Sequence, residues 1–223
     1  MNDACPTPAF DLVNLPSPVV ASSRSEQQAW VYLWLADVFA APPGAEAIAA
    51  YRRGPGADWL ETLAQIEPLE VGVMQLWGEI ELPLEDGDLA ARLGMAHARL
   101  FAGVAGPRTV APYESAHRGD ARPCQSPVAE MEALLASRGL TVARSLTEPA
   151  DHLSIQLTLL ADLVAAEDPA RTAFAQRLNA WVPGFCRLCV ARDLTDFYAG
   201  AALMLVTLLE LEAEAARSDC SIC

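Results

Sequence analysis

Apolar residues recur at helical spacing along most of the chain. The first such segment begins near Ser25, where a serine followed three residues later by Gln28 fits a capping box. Its apolar positions are Ala29, Trp30, Leu33, Trp34 and Val38. The run Ala41-Pro42-Pro43-Gly44 then breaks the helical pattern. We therefore expect an amphipathic helix between these two signals.

The same pattern predicts further helices along the rest of the chain. Glycine and proline end several of them, as at Gly54-Pro55-Gly56 and Gly139, and Ser126-Pro127 fits a helix start. The predicted segments are about 45–53, 57–66, 68–80, 85–101, 126–138, 147–167, 169–181, 183–190 and 195–217. No segment alternates apolar and polar residues as a half-buried strand does. The predicted fold class is therefore all-α, a single helical domain of about ten helices.

Two regions of the chain lack this helical periodicity. Residues 1–23 hold four prolines and few large apolar groups, which predicts a flexible leader. Residues 102–125 form an irregular stretch rich in glycine and proline, a length typical of a functional loop or a hinge. The predicted organisation is one domain over 24–217, with subdomains at about 24–101 and 126–217 joined by this loop, and a tail over 218–223.

Charge narrows the classes of function. The 223 residues carry 29 acidic and 15 basic side chains, a net charge of −14. All of the basic residues are arginine, which excludes Schiff-base chemistry and the phosphate-binding lysine of a P-loop. A strongly negative chain is a poor match for nucleic acid, because phosphate binding needs a positive surface. We therefore expect no nucleic acid, and a partner that is basic where it binds.

Apolar runs in the sequence are too short for a membrane span. The longest uncharged one, over 197–209, has 13 residues, whereas a bilayer needs about 20. The first residues carry Asp3 where a secretory signal would carry a basic residue. We therefore predict a cytoplasmic protein without membrane insertion. In a reducing compartment, its six cysteines are expected as free thiols or metal ligands rather than disulfides.

Two motifs lie where predicted helices break or begin. The first is Leu100-Phe101-Ala102-Gly103 followed by Pro112-Tyr113-Glu114-Ser115, and the second is Glu148-Pro149-Ala150-Asp151-His152-Leu153. Together they resemble the signature stretches of the TorD-like chaperones, a family of maturation factors for molybdenum redox enzymes that includes DmsD and NarJ-type proteins. Two later segments, 181–185 and 196–199, are similar to that family's carboxy-terminal part. The resemblance extends from about Arg24 to Glu212.

The resemblance implies an all-helical chaperone rather than an enzyme. Such chaperones bind the twin-arginine signal peptide and the apo form of one molybdoenzyme, and assist insertion of its molybdopterin cofactor before export or assembly. The client carries the cofactor, so the chaperone needs none of its own, and a transient contact with the cofactor is compatible with this role. A monomer or a dimer formed by domain exchange through the long loop is expected. The chain departs from the family at His97, where a tyrosine is usual.

The resemblance and the charge together suggest peptide-binding residues. Carboxylates match the two guanidinium groups of a twin-arginine peptide, and the candidate acceptors are Glu114, Glu148 and Asp151. The other candidates are their motif neighbours Tyr113, Ser115 and His152, with Trp34 and Trp77 as walls of an apolar groove. Each has a structural alternative, because acids also serve helix starts and aromatic rings are most often core residues.

Two enzymatic interpretations of the same motifs are weaker. Ser115 and His152 can be drawn with an acid as a hydrolase triad, but the chain has no Gly-x-Ser-x-Gly sequence. Glu148 and His152 can be drawn as zinc ligands, but no His-Glu-x-x-His pattern accompanies them. Neither interpretation is favoured over a binding protein.

The cysteine pairs support a more serious alternative. Cys186-x-x-Cys189 and Cys220-x-x-Cys223 have the spacing of metal ligands, which suggests a metal or redox sensor on a helical bundle. The predicted last helix rises about 1.5 Å per residue and so separates the pairs by on the order of 30 Å. They meet only if the tail folds back or a second chain supplies one pair. A helical adaptor without peptide specificity is a third alternative.

Overall fold

The computed structural model of the chain describes residues 23–103, 106–118, 126–140 and 148–220. Within these residues there are eleven α-helices and two 3₁₀ turns but no strand, so the all-α prediction is confirmed. The α-helices are α1 (Arg24–Ala40), α2 (Ala45–Arg53), α3 (Pro55–Ala64), α4 (Glu70–Ile80), α5 (Asp86–Phe101), α6 (Glu114–His117), α7 (Pro127–Ser137), α8 (Leu153–Ala165), α9 (Ala170–Asn179), α10 (Val182–Arg192) and α11 (Phe197–Cys220).

Several predicted segments lie outside the described residues. They are the leader up to residue 22, part of the linking loop and the last three residues of the tail. Ser23, the last residue of the predicted leader, is described and belongs to the start of α1. No helix in the described part of the chain is both long and apolar enough to cross a bilayer.

The start of α1 differs from the prediction by two residues. Ser23, not Ser25, is the N-cap, and its side chain accepts a hydrogen bond of 3.2 Å from the backbone N–H of Glu26. The Glu26 carboxylate accepts in return from the Ser23 N–H at 2.9 Å, which completes a capping box. Both serines fit the spacing rule, but a carboxylate is a stronger acceptor than the amide of Gln28 and also favours the helix dipole.

The start of α8 also differs from the prediction. The helix begins at Leu153 rather than near Thr147, and His152 is its N-cap. Apolar residues on two faces predict a buried helix, and the structure confirms this, since α8 is buried over most of its length. Helix α1 packs along α8. The second motif therefore meets the core at the N-terminus of a central helix.

One hydrophobic core joins the helices before and after the linking loop. Helix α1 packs on α8, and α4 packs on α11, so each contact pairs an early helix with a late one. Buried side chains of all four helices belong to the same cluster. Residues of both predicted subdomains, 24–101 and 126–217, therefore contribute to one hydrophobic cluster. This arrangement places the loop residues of the first motif against the start of α8.

Candidate functional site

The two signature stretches, widely separated in sequence, meet in the structure. Tyr113 and His152 form an isolated antiparallel bridge. Two backbone hydrogen bonds of 2.8 and 3.2 Å join the same two stretches on either side of it. We call residues 112–115 and 148–153 the clasp, because these bonds hold the loop before α6 against the start of α8. The structure therefore brings the two predicted motif stretches into contact, and their role as one peptide site stays a prediction.

Side chains strengthen the clasp. The hydroxyl of Tyr113 donates to the carboxylate of Glu148, and its ring lies edge-to-face on His152 with the centroids 5.1 Å apart. Burial, with the help of Glu148, raises the pKa of Tyr113, so the phenol stays protonated and remains a donor. The backbone N–H of Ser115 donates to Oδ2 of Asp151 at 2.9 Å. All three side chains from the second stretch that were predicted to bind peptide, Glu148, Asp151 and His152, therefore contact the first stretch.

Glu114 is fully buried and is held by two arginines of the chain. Its Oε1 accepts from Nη1 of Arg118 at 2.6 Å, and its Oε2 accepts from Nε of Arg177 at 2.9 Å. The amide of Gln156 also donates to Oε2, at 3.1 Å. Arginines of the chain therefore already occupy the carboxylate that was predicted to accept a peptide's arginine, and that role of Glu114 stays a prediction. A buried carboxylate of this kind needs such partners in order to stay charged.

Three more predicted contact residues are buried. Asp151 is fully buried, and its Oδ1 makes no hydrogen bond within the described residues. His152 is buried at the helix start, and Trp34 is fully buried, with its Nε1 donating to the hydroxyl of Tyr51 at 2.8 Å. Neither Trp34 nor Asp151 is therefore exposed to a partner in this structure, and their contacts with a peptide stay predictions. Their burial follows from the packing of α1 and of the clasp against α8.

Three of the clasp residues that were predicted to bind peptide keep exposed surface. Tyr113 and Glu148 are half-buried, and Ser115 is exposed. These side chains form the rim of the clasp, and they are the part of the predicted motif site that a partner can reach in this structure.

Trp77 lies away from the clasp, on α4, at the edge of an exposed apolar and acidic surface. This surface, which we call the α4 face, consists of Glu70, Val71, Met74, Trp77, Gly78 and Glu81, at helical spacing. Val71 is 67% exposed and Met74 is 55% exposed, while Trp77 is half-buried and donates from Nε1 to Glu81 at 3.3 Å. Residues 54–91, which include α4, contain nine acidic residues and no arginine. The excess of acidic residues over 54–91 can be counted from the sequence alone, but only Trp77 of this region was predicted as a contact residue.

A cleft between α7, α8 and α9 was not predicted. Its volume is about 440 Å³, and its lining includes Arg118, Arg138 and Arg177. The ion pair between Glu114 and Arg118 could be predicted from the sequence, because the two residues are four positions apart on one helix face. The contact between Arg177 and Glu114 could not be predicted, since 63 positions separate the two residues in the sequence.

The cysteines on α10 do not have the features of a metal or redox site. Cys186 and Cys189 are free and buried, and burial raises the pKa of the Cys186 thiol to about 11. Burial also raises the pKa of Cys189 well above its ordinary value. Thiolates bind metals and react with disulfides, so thiols held protonated do not favour the sensor alternative. Cys220 ends α11, and Cys223 lies outside the described residues.

His152 should make stability depend on pH. Its Nδ1 accepts from the backbone N–H of Ser154 at 3.1 Å, which is possible only in the unprotonated form. Burial lowers the pKa of His152 from 6.5, outweighing the opposite effect of Glu148 and Asp151. Because the unfolded chain then binds this proton more readily, stability is present above pH 6.5 and falls as pH decreases below it.

The matched variant is His152→Asn, since asparagine also caps helices but does not titrate. We expect the wild type to lose on the order of 1 kcal/mol more than the variant between pH 7 and pH 5, measured by urea unfolding. Parallel pH profiles for the two proteins would show that His152 does not titrate on unfolding.

Comparison with known proteins shows similarity over most of the chain. The family model described as nitrate reductase delta subunit matches residues 67–187, which include both motif stretches of the clasp. A protein named chaperone protein TorD from Aeromonas salmonicida (strain A449) is 30% identical over 204 residues, which cover 86% of this chain and 92% of that protein. A protein of the same name from Escherichia coli (strain K12 / DH10B) is 29% identical over 198 residues, covering 84% and 96%.

Proposed function

Because the chain belongs to the TorD-like family, we propose that it is a chaperone for the maturation of a molybdoenzyme. It binds the twin-arginine signal peptide and the apo form of that enzyme, and assists insertion of the molybdopterin cofactor before export or assembly. The role is not enzymatic, as the name of its relatives indicates. The molybdopterin belongs to the client, and the chaperone acts in the cytoplasm as a monomer or a domain-exchanged dimer.

The α4 face is the observation that carries signal-peptide binding. A twin-arginine peptide combines two guanidinium groups with an apolar segment. The α4 face offers the complementary pair of features, exposed carboxylates at Glu70 and Glu81 and exposed apolar side chains at Val71 and Met74. Arginine forks bind carboxylates at two points, and an apolar segment removes Met74 and Val71 from water. We place the peptide here, with Trp77 as the edge of its site.

The charge around α4 supports this placement. Nine acidic residues and no arginine lie in residues 54–91. Three arginines from outside this stretch, Arg52, Arg53 and Arg92, pair with only two of its carboxylates, so the charge along it stays negative. Such a field speeds the encounter of opposite charges and weakens as salt rises. Peptide binding should therefore depend strongly on ionic strength.

The clasp has a different part in the proposal. Its rim, formed by Tyr113, Ser115 and Glu148, contacts the apo enzyme. Glu114, Asp151 and His152 act indirectly, because they are buried and hold the rim in place. Replacing these buried residues could weaken binding either by destabilising the fold or by removing a contact with the client. Variants of the rim residues avoid this ambiguity.

We expect the double variant Glu70→Gln, Glu81→Gln to bind a twin-arginine peptide about tenfold more weakly than the wild type. The probe is a labelled synthetic peptide with an Arg-Arg pair before a leucine and alanine segment, followed by fluorescence anisotropy. The matched control is Glu132→Gln, Glu210→Gln, which removes the same charge from exposed positions on α7 and α11. A peptide with Lys-Lys in place of Arg-Arg tests whether the fork geometry matters.

Other results would count against the proposal. Equal weakening by the two double variants would mean that net charge alone attracts the peptide. Equal binding of the Lys-Lys peptide would favour an adaptor without peptide specificity. Weakening by Glu148→Gln but not by the α4 variant would move the signal peptide to the clasp rim.

A further inference from the structure

The cleft between α7, α8 and α9 has a chemistry opposite to that of the α4 face. Arg118, Arg138 and Arg177 line it, with Glu130 as the acidic residue among the lining groups. The lining residues carry three positive charges and one negative charge, and Glu114 and Asp168 pair with these arginines from outside the lining. The cleft can therefore bind an anionic ligand only through the arginine N–H groups that these carboxylates leave free.

Buried and half-buried carboxylates hold two of these arginines in position. The buried carboxylate of Glu114 pairs with both Arg118 and Arg177. Glu130 pairs with the same two arginines, at 3.3 Å from Arg118 and 3.0 Å from Arg177. All three nitrogens of the Arg177 guanidinium have acceptors, the third being the carbonyl of Pro127 at 3.3 Å. Arg177 is therefore a structural residue of the cleft rather than its recognition group.

Arg118 and Arg138 have donors to spare. Arg118 uses only Nη1, for Glu114 and Glu130, and Arg138 uses only Nη1, for Asp168 at 2.9 Å. Within the part of the chain that the structure describes, Nε and Nη2 of both residues make no hydrogen bond. Nε and Nη2 are the pair of N–H groups with which an arginine grips a carboxylate at two points. The cleft thus holds two arginine side chains, Arg118 and Arg138, each with a pair of N–H donors available to a ligand.

The remaining lining of the cleft is aliphatic. Leu134, Leu163 and three alanines form most of it, and the ring of Phe174 is 5% exposed. No lining residue offers an exposed aromatic face on which a base or a pterin could stack. A volume of about 440 Å³ is enough for a few side chains of a peptide.

We propose that this cleft binds an acidic and aliphatic segment of the client polypeptide. Two carboxylates of the segment bind Arg118 and Arg138, and an aliphatic side chain between them contacts Leu134 and Ala173. This rests on the proposed function, since it takes the client to be a polypeptide held by a chaperone. The client would then be held at two places of opposite charge, its basic signal peptide on the α4 face and an acidic segment of the enzyme in the cleft.

Arg138 and Ala173 allow a test that leaves the fold intact. Arg138 forms one ion pair, with the partly exposed Asp168, and Ala173 is exposed on α9. Arg138→Gln removes one fork, and Ala173→Glu places a carboxylate at the cleft wall that competes with the ligand. Ala136→Glu is the matched control, because it makes the same change at an exposed position of α7 outside the cleft.

The probe is a labelled, end-capped Glu-Leu-Glu-Leu peptide, compared with Gln-Leu-Gln-Leu by fluorescence anisotropy. We expect the glutamate peptide to bind at least about tenfold more tightly than the glutamine peptide. Arg138→Gln and Ala173→Glu should each weaken it by a similar factor, whereas Ala136→Glu should bind it as the wild type does. Unchanged melting temperatures would confirm that the variants are folded.

Several outcomes would overturn the assignment. They are no measurable binding of the glutamate peptide, equal binding of both peptides, or equal effects of Ala173→Glu and Ala136→Glu. Tighter binding of inorganic pyrophosphate, with displacement of the peptide, would assign the cleft to a phosphate ligand instead. The twin-arginine peptide should bind the Arg138→Gln variant as tightly as the wild type, whether or not the cleft binds an acidic segment. This measurement therefore distinguishes a failure of the cleft proposal from a failure of the signal-peptide proposal.

Discussion

The Glu114→Ala variant should lose about 3–5 kcal/mol of unfolding free energy. Glu114 is fully buried and accepts from Arg118, Arg177 and Gln156. Removing its carboxylate leaves the Arg177 side chain, which is only 19% exposed, and the buried Gln156 amide without this acceptor. Urea unfolding followed by circular dichroism measures the loss.

Glu130→Ala is the matched control for that variant. Glu130 contacts the same two arginines, Arg118 and Arg177, but its side chain is 27% exposed. Water replaces much of what an exposed pair contributes, so this variant should lose about 1 kcal/mol or less. Similar losses in the two variants would mean that burial of Glu114 does not decide the strength of its ion pairs.

This comparison bears on the role of the first motif. A carboxylate that sequence reasoning assigns to the client's arginines instead holds the chain's own, Arg118 and Arg177. If Glu114→Ala is folded but unstable, the motif residue is structural. Recognition of positive charge then belongs to exposed acids such as those of the α4 face.

The Gly72→Ala variant should lose about 2 kcal/mol, because α4 and α11 cross closely at this residue. A Cβ at Gly72 would lie 2.7 Å from the backbone oxygen of Gly200 and 2.6 Å from Cγ of Met204. Since backbone cannot rotate away as a side chain can, the helices would have to separate. The gain in helix propensity, up to about 1 kcal/mol, offsets part of this cost.

Gly78→Ala supplies the control on the same helix. Nothing lies within 4 Å of a Cβ built at Gly78, so alanine there should stabilise the protein by about 0.5–1 kcal/mol. Thermal and urea unfolding of the two variants should therefore move in opposite directions. Stabilisation by both alanines would contradict the close crossing of α4 and α11.

The helices could be predicted from the sequence because their signals are local. Apolar spacing, capping residues and breakers lie within one or two turns of each other, and they located most of the helices. The errors were also local. Ser23 rather than Ser25 caps α1, and α8 begins at Leu153 rather than near Thr147. At α1 the carboxylate of Glu26 favours Ser23 as the cap, and at α8 the clasp holds the residues before Leu153 outside the helix.

The site could be predicted only in part, for a related reason. Resemblance grouped Tyr113 and His152, and the structure brings them into contact. Neither resemblance nor charge showed that Glu114 and Asp151 are interior, since the groups that bind their carboxylates come from other parts of the chain. The arginine cleft was missed because Arg118, Arg138 and Arg177 come from three separate parts of the chain.

The sequence by itself determined the all-α class, the net charge of −14, the acid-rich stretch over 54–91 and the family resemblance. These properties depend on composition, on spacing within a helix and on short motifs, none of which requires knowledge of distant contacts. Only the tertiary structure decided which carboxylates are exposed and which hold the chain together. Burial and ion pairing are set by residues far apart in sequence, such as Glu114 and Arg177, that meet only when the helices pack.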